Sequence, residues 1–370
     1  MTTTPPGPRL DVDADIRRAA TLPGWFYRDD AVFAWARDRI FARSWQLVEQ
    51  ADTVTVPQQV LPFDFLPGLV EEPLLLVRDA ADVVRCLSNV CTHRGMPVVA
   101  APGRCAHLRC PYHGRRFGLD GCFEHMPEFE DAEGFPRPAD DLTRLPLESW
   151  GPFSFTALDP RWSFDDFITP VRTRMQWLAD AAFRFDATRS RDYLVQANWA
   201  LYCDNFLEGF HIPFVHSGLN EVIDYGSYRT ELAAWGNVQI GVTRGAENAF
   251  VLPPGSPDAG SEIGGYYFWL FPNLMLNFYP WGISVNIVKP LAVDRTRVSY
   301  LTFVADPSQL DQGAGAALDR VEREDEAIVE AVHRGLASRH YDRGRYSPKR
   351  ETGVHHFHRL LAELWNSDHA

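Results

Sequence analysis

The sequence predicts an α+β protein with two domains: an N-terminal all-β domain, then a domain that combines an antiparallel sheet with long helices. Three observations predict this arrangement. At 370 residues, the chain is longer than one hydrophobic core usually supports. Short β-rich runs broken by Pro, Gly and Asp fill residues 46–158. Residues 159–370 first mix helical and strand-like runs and then end in long helical patterns. This order is typical of an α+β domain.

Residues 1–45 are predicted to form a helical segment that packs on the C-terminal domain. In AVFAWARDRIFARSW the apolar side chains recur about every 3.6 residues, as expected for a helix with one buried face. The positions are Val32, Phe33, Trp35, Ile40 and Phe41.

Residues 46–158 are predicted to form a small β domain. The runs QLVE, PLLLV and DVVRCLSNV are rich in residues that favour strands, and turn-forming residues separate them.

Residues 159–370 are predicted to form the α+β domain. A helical DFITPVRTRMQWLADA comes first, and the strand-like runs YLVQANW, VQIGVTR, YYFWLF, LMLNFY, ISVNIVKPL and RVSYLTFVA follow. Helices are then expected from about residue 312 to 339 and from 354 to 365. Consecutive strands of this kind predict an antiparallel sheet.

Charge and hydropathy exclude several classes of function. The formal net charge of −13, with no cluster of Lys and Arg, argues against a nucleic-acid partner. The N-terminus has no apolar core typical of a secretory signal, and no apolar run is long enough to cross a bilayer, so no membrane association is expected. A cytoplasmic location is therefore predicted, with the six cysteines reduced or bound to metal.

The first candidate metal site lies on two turns of the β domain. Cys91 and His93 form a C-x-H pair, and Cys110 and His113 form a C-x-x-H pair. The four residues could hold one tetrahedral zinc, or a [2Fe–2S] cluster with imidazoles replacing thiolates on one iron. Because each turn supplies one Cys and one His, the pattern favours the cluster. Cys105, His107 and His125 are predicted to be packing or surface residues, and Cys86 and Cys122 are not assigned a role.

The second candidate site begins in NWALYCDNFLEGFHIPFVHSGL, residues 198–219. Glu208 and His211 are three residues apart and would share a helix face, whereas His216 would point elsewhere on a continuous helix. Pro213 is expected to bend or end that helix, because it cannot donate to the carbonyl of Gly209. His216 could then approach the same metal as His211.

A carboxylate near the C-terminus completes this second site. In LDRVEREDEAIVEAVHRGL, Asp325 occupies one position of a stripe that otherwise consists of apolar residues. A carboxylate on a buried face is costly unless a cation compensates it. Two histidines and one carboxylate form the facial triad that holds non-haem Fe(II). The stripe is Leu318, Val321, Ile328 and Val332. Glu324 and Glu326 are predicted to be solvated.

The motifs resemble those of a known family. CTHRG and CPYHG match the two loops of Rieske proteins, and DNFLEGFHIPFVH matches the iron-binding segment of Rieske non-haem iron oxygenase α subunits. The resemblance covers nearly the whole chain. Met96 and Tyr112 stand where membrane cytochrome complexes carry disulfide-forming cysteines, so this chain resembles the branch without that disulfide.

The resemblance implies a fold, an assembly and residue roles. It implies a Rieske domain with one [2Fe–2S] cluster, a catalytic domain of helix-grip type with one mononuclear Fe(II), and a homotrimer arranged head to tail. The length of the chain and the absence of any β-subunit cue favour a trimer of α subunits alone. Glu208 would bridge His211 and His113 of the adjacent subunit by hydrogen bonds. Asn205 would lie near the iron, either supporting the site or making a purely structural hydrogen bond.

The resemblance also implies a reaction. Electrons from NAD(P)H would arrive through a separate reductase, with or without a ferredoxin, because the chain has no dinucleotide-binding fingerprint. O₂ would then be used for oxygen insertion into a small organic substrate. A Glu in NFLEGFH resembles the branch that oxidises quaternary ammonium compounds. Aromatic-ring hydroxylation by a dioxygenase and non-catalytic Rieske electron transfer remain alternatives.

Two further groups of residues lead to weaker expectations. Aromatic residues of the α+β domain could form a cation-binding cage, line a pocket for an aromatic ring, or belong to the core. They are Phe206, Phe210, Trp269, Phe271, Tyr279 and Trp281. In HHFH, residues 355–358, His355 and His358 share a helix face, but no acid or Cys completes a site in sequence. A surface or interface role is predicted for both.

Overall fold

A computed structural model describes residues 7–316 and 318–369. The chain divides into two compact units. The β unit is Ala42–Arg161, and the α+β unit joins the segment up to Phe41 with the chain from Trp162 onward. The predicted α+β class is confirmed, since one unit is all-β and the other combines an antiparallel sheet with helices.

The β unit contains eleven short strands among the residues described. They are β1 Gln46–Leu47, β2 Gln59–Phe65, β3 Glu72–Arg78, β4 Val84–Ser88, β5 Gly103–Arg104, β6 Leu108–Arg109, β7 Arg116–Phe117, β8 Phe123–His125, β9 Arg144–Leu145, β10 Leu147–Trp150 and β11 Phe153–Thr156. The sheets have the orders β5-β2-β3-β4-β9, β1-β11-β10 and β6-β7-β8. The two Cys–His turns follow β4 and β6, and the ends of these strands direct the two turns toward each other.

The α+β unit is built on a seven-stranded antiparallel sheet of order β12-β18-β17-β16-β15-β14-β13. The strands are β12 Arg184–Val195, β13 Arg229–Ala233, β14 Gly236–Val242, β15 Ile263–Leu270, β16 Leu274–Tyr279, β17 Gly282–Ala292 and β18 Arg295–Val304. β15, β16 and most of β17 are buried on both faces, which explains their nearly continuous apolar sequences.

Seven α-helices accompany this sheet in the described part of the chain. They are α1 Asp30–Arg39, α2 Phe164–Met175, α3 Trp199–Phe206, α4 Ile212–Val215, α5 Ser217–Val222, α6 Leu318–Gly335 and α7 Thr352–Ser367. Side chains cap three of them: Asp29, Ser163 and Asn198 each accept a main-chain N–H from the first turn of α1, α2 and α3.

The predicted helical segment 1–45 is too long. Residues 1–6 lie outside the described residues, and residues 7–23 form no helix. The Asp15 carboxylate accepts the main-chain N–H of Arg17 at 3.0 Å and its guanidinium Nε at 2.9 Å. Such local side-chain hydrogen bonds compete with helix formation, so the regular helix begins only at Asp30.

The buried face of α6 also differs from the predicted apolar stripe. Val329 is buried, whereas Ile328 and Val332 are 39% and 45% exposed. Glu322, Asp325 and Val329 follow spacings of three and four residues and therefore share one face of the helix. The inward face of α6 thus carries two carboxylates. In the second half of the helix, the predicted apolar stripe contains Ile328, whereas the buried residue is Val329, one position later.

Candidate functional site

The two Cys–His turns of the β unit have matching backbone geometry. In each, the cysteine N–H donates to the carbonyl five residues later at 2.9 Å. Gly95 and Gly114, four residues after Cys91 and Cys110, donate their N–H groups back to the cysteine carbonyls at 2.9 and 3.1 Å. Their φ angles of 71° and 75° lie in the left-handed region. Glycine therefore allows both turns to close.

The side chains of these turns form two layers. Cys91 and Cys110 are buried at 3% and 2% exposure, while His93 and His113 lie nearer the surface with ring centroids 4.8 Å apart. Burial raises the pKa of Cys91. An inner thiolate pair and an outer imidazole pair suit a two-iron cluster that has sulfur ligands on one iron and nitrogen ligands on the other.

The remaining Cys and His residues of the β unit lie outside the two turns. Cys86 is buried in β4, where burial raises its pKa to about 11. Cys105 packs against the core, and exposed His107 pairs with Glu124 at 2.8 Å. Cys122 is partly buried and His125 is exposed at the end of β8. Packing and surface environments account for all five.

The second site lies where α3 gives way to α4. The sequence predicted a helix broken at Pro213, but α3 already ends at Phe206 and Pro213 lies in the first turn of the short α4. Glu208 causes the earlier break, because its carboxylate accepts the main-chain N–H groups of Phe210 and His211. This irregular turn, rather than one helix face, aims His211 and His216 together.

His211, His216 and Asp325 meet at this break. Asp325 Oδ1 lies 2.9 Å from His216 Nε2 and 3.5 Å from His211 Nε2. The ring centroids of the two histidines are 5.0 Å apart. Two imidazole nitrogens and a carboxylate oxygen within 4.8 Å of one another form a donor set suited to non-haem iron.

Carboxylates and an amide orient all three residues. Glu208 Oε1 lies 2.7 Å from His211 Nδ1, and Glu324 Oε2 lies 2.8 Å from His216 Nδ1. Asn205 Nδ2 donates to Asp325 Oδ1 at 2.7 Å. With each Nδ1 engaged by a carboxylate, each Nε2 is left to face the shared point.

Glu324 is not the solvated residue that the sequence predicted. Its contact with His216 makes it part of the site, and Arg320 donates to its other oxygen at 2.9 Å. The hydrogen bond with His216 lowers the pKa of Glu324. Burial opposes protonation of His216, but Asp325 and Glu324 outweigh it and raise the pKa of this histidine.

A cavity of about 90 Å³ adjoins the triad. Its lining includes the triad and four tyrosines, Tyr202, Tyr228, Tyr267 and Tyr279. Glu322 of α6 also lines it, and burial, reinforced by repulsion from Asp319, Glu326 and Asp325, raises the pKa of Glu322 to about 8. Sequence reasoning missed Glu322, although its position three residues before Asp325 places both on one helix face.

The aromatic residues proposed for a cation-binding cage separate into different environments. Phe206 and Tyr279 line this cavity, whereas Trp269 and Phe271 are fully buried and pack against Phe357 of α7. Phe210 is 41% exposed. Three of the four tyrosines in the wall of the cavity, Tyr202, Tyr228 and Tyr267, are residues that the sequence did not single out.

The surface or interface role predicted for His355 and His358 is wrong. His355 and His358 are 8% and 2% exposed. His358 Nε2 lies 2.8 Å from Asp204 Oδ1 and 3.0 Å from the Tyr27 hydroxyl, and its Nδ1 lies 2.6 Å from the Tyr346 hydroxyl. Because the acid comes from α3, far away in sequence, local spacing could not indicate this buried network.

In the described part of the chain, no helix has the length and apolar character needed to span a membrane.

Comparison with known proteins identifies both units. A family model described as the Rieske [2Fe-2S] domain matches residues 44–136. A second, described as the ring hydroxylating alpha subunit (catalytic domain), matches residues 175–367.

Relatives extend the match to nearly the full chain. A chloroplastic choline monooxygenase from Arabidopsis thaliana is 30% identical, over 95% of this chain and 84% of the relative. The carnitine monooxygenase oxygenase subunit of Escherichia coli K12 is 26% identical, over 95% and 96% of the two chains. A solved quaternary ammonium Rieske monooxygenase in complex with L-carnitine has the same fold, with a TM-score of 0.74 at 23% identity over 97% and 99% of the chains. This protein belongs to the Rieske non-haem iron oxygenases, as an α subunit related to the choline and carnitine monooxygenases.

Proposed function

We propose that this oxygenase uses O₂ to hydroxylate or oxidatively demethylate a quaternary ammonium compound. One observation carries the choice of substrate. Glu322 places a carboxylate in the wall of the cavity beside the triad, among four tyrosines.

A carboxylate in such a place favours a cationic ligand. The raised pKa of Glu322 reflects burial and the repulsion of Asp319, Glu326 and Asp325, which attraction to Arg191 opposes without cancelling. A fixed positive charge would relieve both effects, and tyrosine faces attract alkylammonium groups. A neutral aromatic substrate would gain nothing from this carboxylate and would leave it uncompensated. The cavity thus supports an ammonium substrate over ring hydroxylation.

We propose that Cys91, His93, Cys110 and His113 hold a [2Fe–2S] cluster, and that His211, His216 and Asp325 hold Fe(II). When bound, the cluster supplies single electrons and the iron activates O₂. Glu208 and Glu324 orient the two imidazoles, and Asn205 holds the carboxylate of Asp325. The tyrosines exclude water around the substrate, and Glu322 binds its cationic end.

We further propose a head-to-tail homotrimer in which Glu208 also contacts His113 of the adjacent subunit. The exposure of His113 supports this proposal, since the ring is accessible to another chain. The separate reductase that an oxygenase subunit requires would deliver electrons from NAD(P)H. The cytoplasmic location stays a prediction, because the plant relatives are chloroplastic.

A non-catalytic electron carrier is a poorer explanation. Such a protein needs only the β unit and has no use for a second donor set. The triad, its three orienting partners and the adjoining cavity support catalysis.

Metal analysis and substrate oxidation test the proposed function. Anaerobically purified protein should contain about three irons and two sulfides per chain. With a surrogate reductase, ammonium compounds should stimulate O₂ uptake more than aromatic hydrocarbons, and Glu322→Gln should abolish that preference. Two irons per chain after full reconstitution would contradict an oxygenase. Oxidation of aromatic hydrocarbons alone would contradict the ammonium substrate.

A further inference from the structure

The buried His358 of α7 belongs to a hydrogen-bond network that the proposed function does not use. Its Nε2 lies 2.8 Å from Asp204 Oδ1 of α3, and its Nδ1 lies 2.6 Å from the Tyr346 hydroxyl. The Tyr27 hydroxyl donates to Asp204 Oδ2 at 2.8 Å. Tyr27 and Tyr346 are 3% and 6% exposed. The network therefore joins the N-terminal segment, α3 and α7 inside the α+β unit.

The contacts of His358 fix the position of its ring proton. The main-chain N–H of Leu22 points to Nδ1 at 3.4 Å, and a main-chain N–H can only donate. Nδ1 is therefore an acceptor, for Leu22 and for the Tyr346 hydroxyl, and the ring proton lies on Nε2. Nε2 then donates to Asp204. Burial and the charge of Asp204 raise the pKa of Tyr27, so its hydroxyl stays protonated and donates to the same carboxylate.

Asp204 lies on a helix whose orientation matters for the triad. α3 has only eight residues, so its stability depends on tertiary contacts. Asn205, the next residue after Asp204, donates to Asp325 of α6 at 2.7 Å. Consecutive helical residues project about 100° apart, so Asp204 is held by α7 while Asn205 reaches α6. The hydrogen bond between His358 and Asp204 resists a rotation of α3 that would carry Asn205 away from Asp325.

α7 also contacts α3 where that helix ends. Gly353, in the first turn of α7, is buried, and a Cβ at this position would lie 2.3 Å from the main-chain oxygen of Leu207. Leu207 directly precedes Glu208, which contacts His211. α7 therefore holds α3 at two places, through the His358 side chain and through the close approach at Gly353.

We propose that Asp204, His358 and Tyr27 are positioning residues of the iron site. They hold α3 in the rotation that directs Asn205 toward Asp325, and they thereby set the direction of the Asp325 carboxylate. In the part of the chain that the structure describes, none of the three lines the cavity beside the triad, so their effect passes through Asn205. This inference rests on the proposed function, in which the triad holds iron.

Fe(II) binding in Asp204→Ala tests the proposal. A chelator removes the mononuclear iron from the full-length protein with its cluster in place, and Fe(II) is then titrated back without oxygen. Asp204→Ala should bind Fe(II) about tenfold more weakly than the parent, as expected when the support of a metal ligand is lost. The EPR signal of the Fe(II)–nitric oxide complex depends on ligand geometry, and its rhombicity should change.

A double-variant cycle distinguishes positioning from a general loss of stability. Asn205→Ala should also weaken Fe(II) binding. Because Asp204 acts through Asn205, adding Asp204→Ala to Asn205→Ala should change the Fe(II) affinity by less than about twofold. A variant that only loosened the fold would lower Tm without this dependence on Asn205.

Asp258→Ala is the matched control. Asp258 is 4% exposed and accepts a hydrogen bond from the Tyr266 hydroxyl at 2.9 Å, but its other partners are Arg174 and Arg229. This variant should lower Tm and leave the Fe(II) affinity within about twofold of the parent's.

Tyr27→Phe provides a milder variant in case Asp204→Ala does not fold. It removes one hydroxyl and keeps the ring, which packs edge-on against Phe26 with centroids 5.6 Å apart. Loss of this one hydrogen bond should weaken Fe(II) binding by about threefold and shift the EPR signal in the same direction as Asp204→Ala.

The outcomes separate this inference from the proposed function. Parental Fe(II) affinity and an unchanged EPR signal in Asp204→Ala and Tyr27→Phe would overturn the positioning role and leave the iron site intact. Additive losses in the double variant would also overturn it. If His211→Ala binds Fe(II) as tightly as the parent, the proposed iron site and this inference fail together.

Discussion

At the scale of single residues, the chemistry of the α+β unit depends on carboxylates with different partners. Glu208 and Glu324 each hold a histidine, and Asp325 faces both histidines. Glu322 has no such partner among these groups and faces the cavity. Environment, rather than residue type, therefore separates the acids that orient the site from the acid that would bind substrate.

Replacing Glu322 should stabilise the empty protein while removing cation binding. The raised pKa means that folding at neutral pH forces this carboxyl to take up a proton that it lacks in the unfolded chain. Glu322→Gln avoids that cost, so Tm at pH 7 should rise by about 2–6 °C. At pH 5 the gain should largely disappear, because the unfolded carboxyl is then partly protonated too.

Calorimetry at both pH values measures this effect, with Glu221→Gln as an exposed control in the same unit. A loss of stability at pH 7 would show that Glu322 is compensated in the empty protein.

The same group predicts a pH dependence of cation binding. An ammonium ligand needs Glu322 deprotonated, so affinity should increase as pH rises toward about 8, the pKa of this carboxyl, and then become constant. Iron bound at Asp325 would remove that residue's repulsion of Glu322 and so lower the pH at the midpoint of the affinity change. The burial of Glu322 and its repulsion by Asp319 would remain. Titrations of a trimethylammonium ligand from pH 6 to 9 measure this. A profile in Glu322→Gln that matches the parent's would contradict the role of Glu322.

At the scale of elements, short irregular connections between regular elements position the chemistry. The Cys–His turns follow β4 and β6, and the turn between α3 and α4 carries Glu208 and His211. Gly209 lets this last turn approach Tyr228, whose Cε1 would lie 2.6 Å from a Cβ at that position. α7 supports the same region through His358, which holds Asp204 of α3.

The Cys–His turns allow a test of how backbone conformation affects the proposed cluster site. A Cβ at Gly95 would meet nothing within 4 Å, so only the φ of 71° resists substitution. Gly95→Ala should cost about 1–2 kcal/mol of stability and reduce cluster occupancy. Gly103→Ala is the matched control, since it has equal space and no positive φ. Visible absorption measures cluster occupancy, and Tm measures stability. Equal values for Gly95→Ala and Gly103→Ala would show that the turn tolerates alanine.

At the scale of the whole molecule, electron supply and oxygen chemistry belong to separately packed units. The β unit has its own core around Cys91 and Cys110, and the triad lies within the α+β unit. Each unit can thus be tuned by its own surroundings, and the proposed trimer would place electron transfer between chains.

Glu208→Gln should therefore separate metal binding from electron delivery. The amide keeps the size of the side chain but cannot accept from two histidines with both oxygens. Both metals should remain, and the rate of cluster oxidation in a single turnover with O₂ and substrate should fall by at least about tenfold. Stopped-flow absorption measures that rate, with Glu221→Gln as the control. A parental rate would exclude the bridging role.

The sequence alone determined the chemistry that short segments encode. The Cys–His turns and the His211–His216 segment each place their donors within a few residues. Gly95 and Gly114 close the two turns, and Glu208 binds the main chain just before His211. The α+β class followed from strand-like runs ordered along the chain. These predictions depend on neighbours in sequence, which is why they could be made without coordinates.

Only the tertiary structure decided which acids of α6 face the site. LDRVEREDE offers five acids, and packing against α3 and the sheet places Glu324 on His216 and Glu322 in the cavity. It also buried His358 and placed it against Asp204 of α3. Such groupings join residues more than a hundred positions apart, and local periodicity carries no information about contacts at that separation.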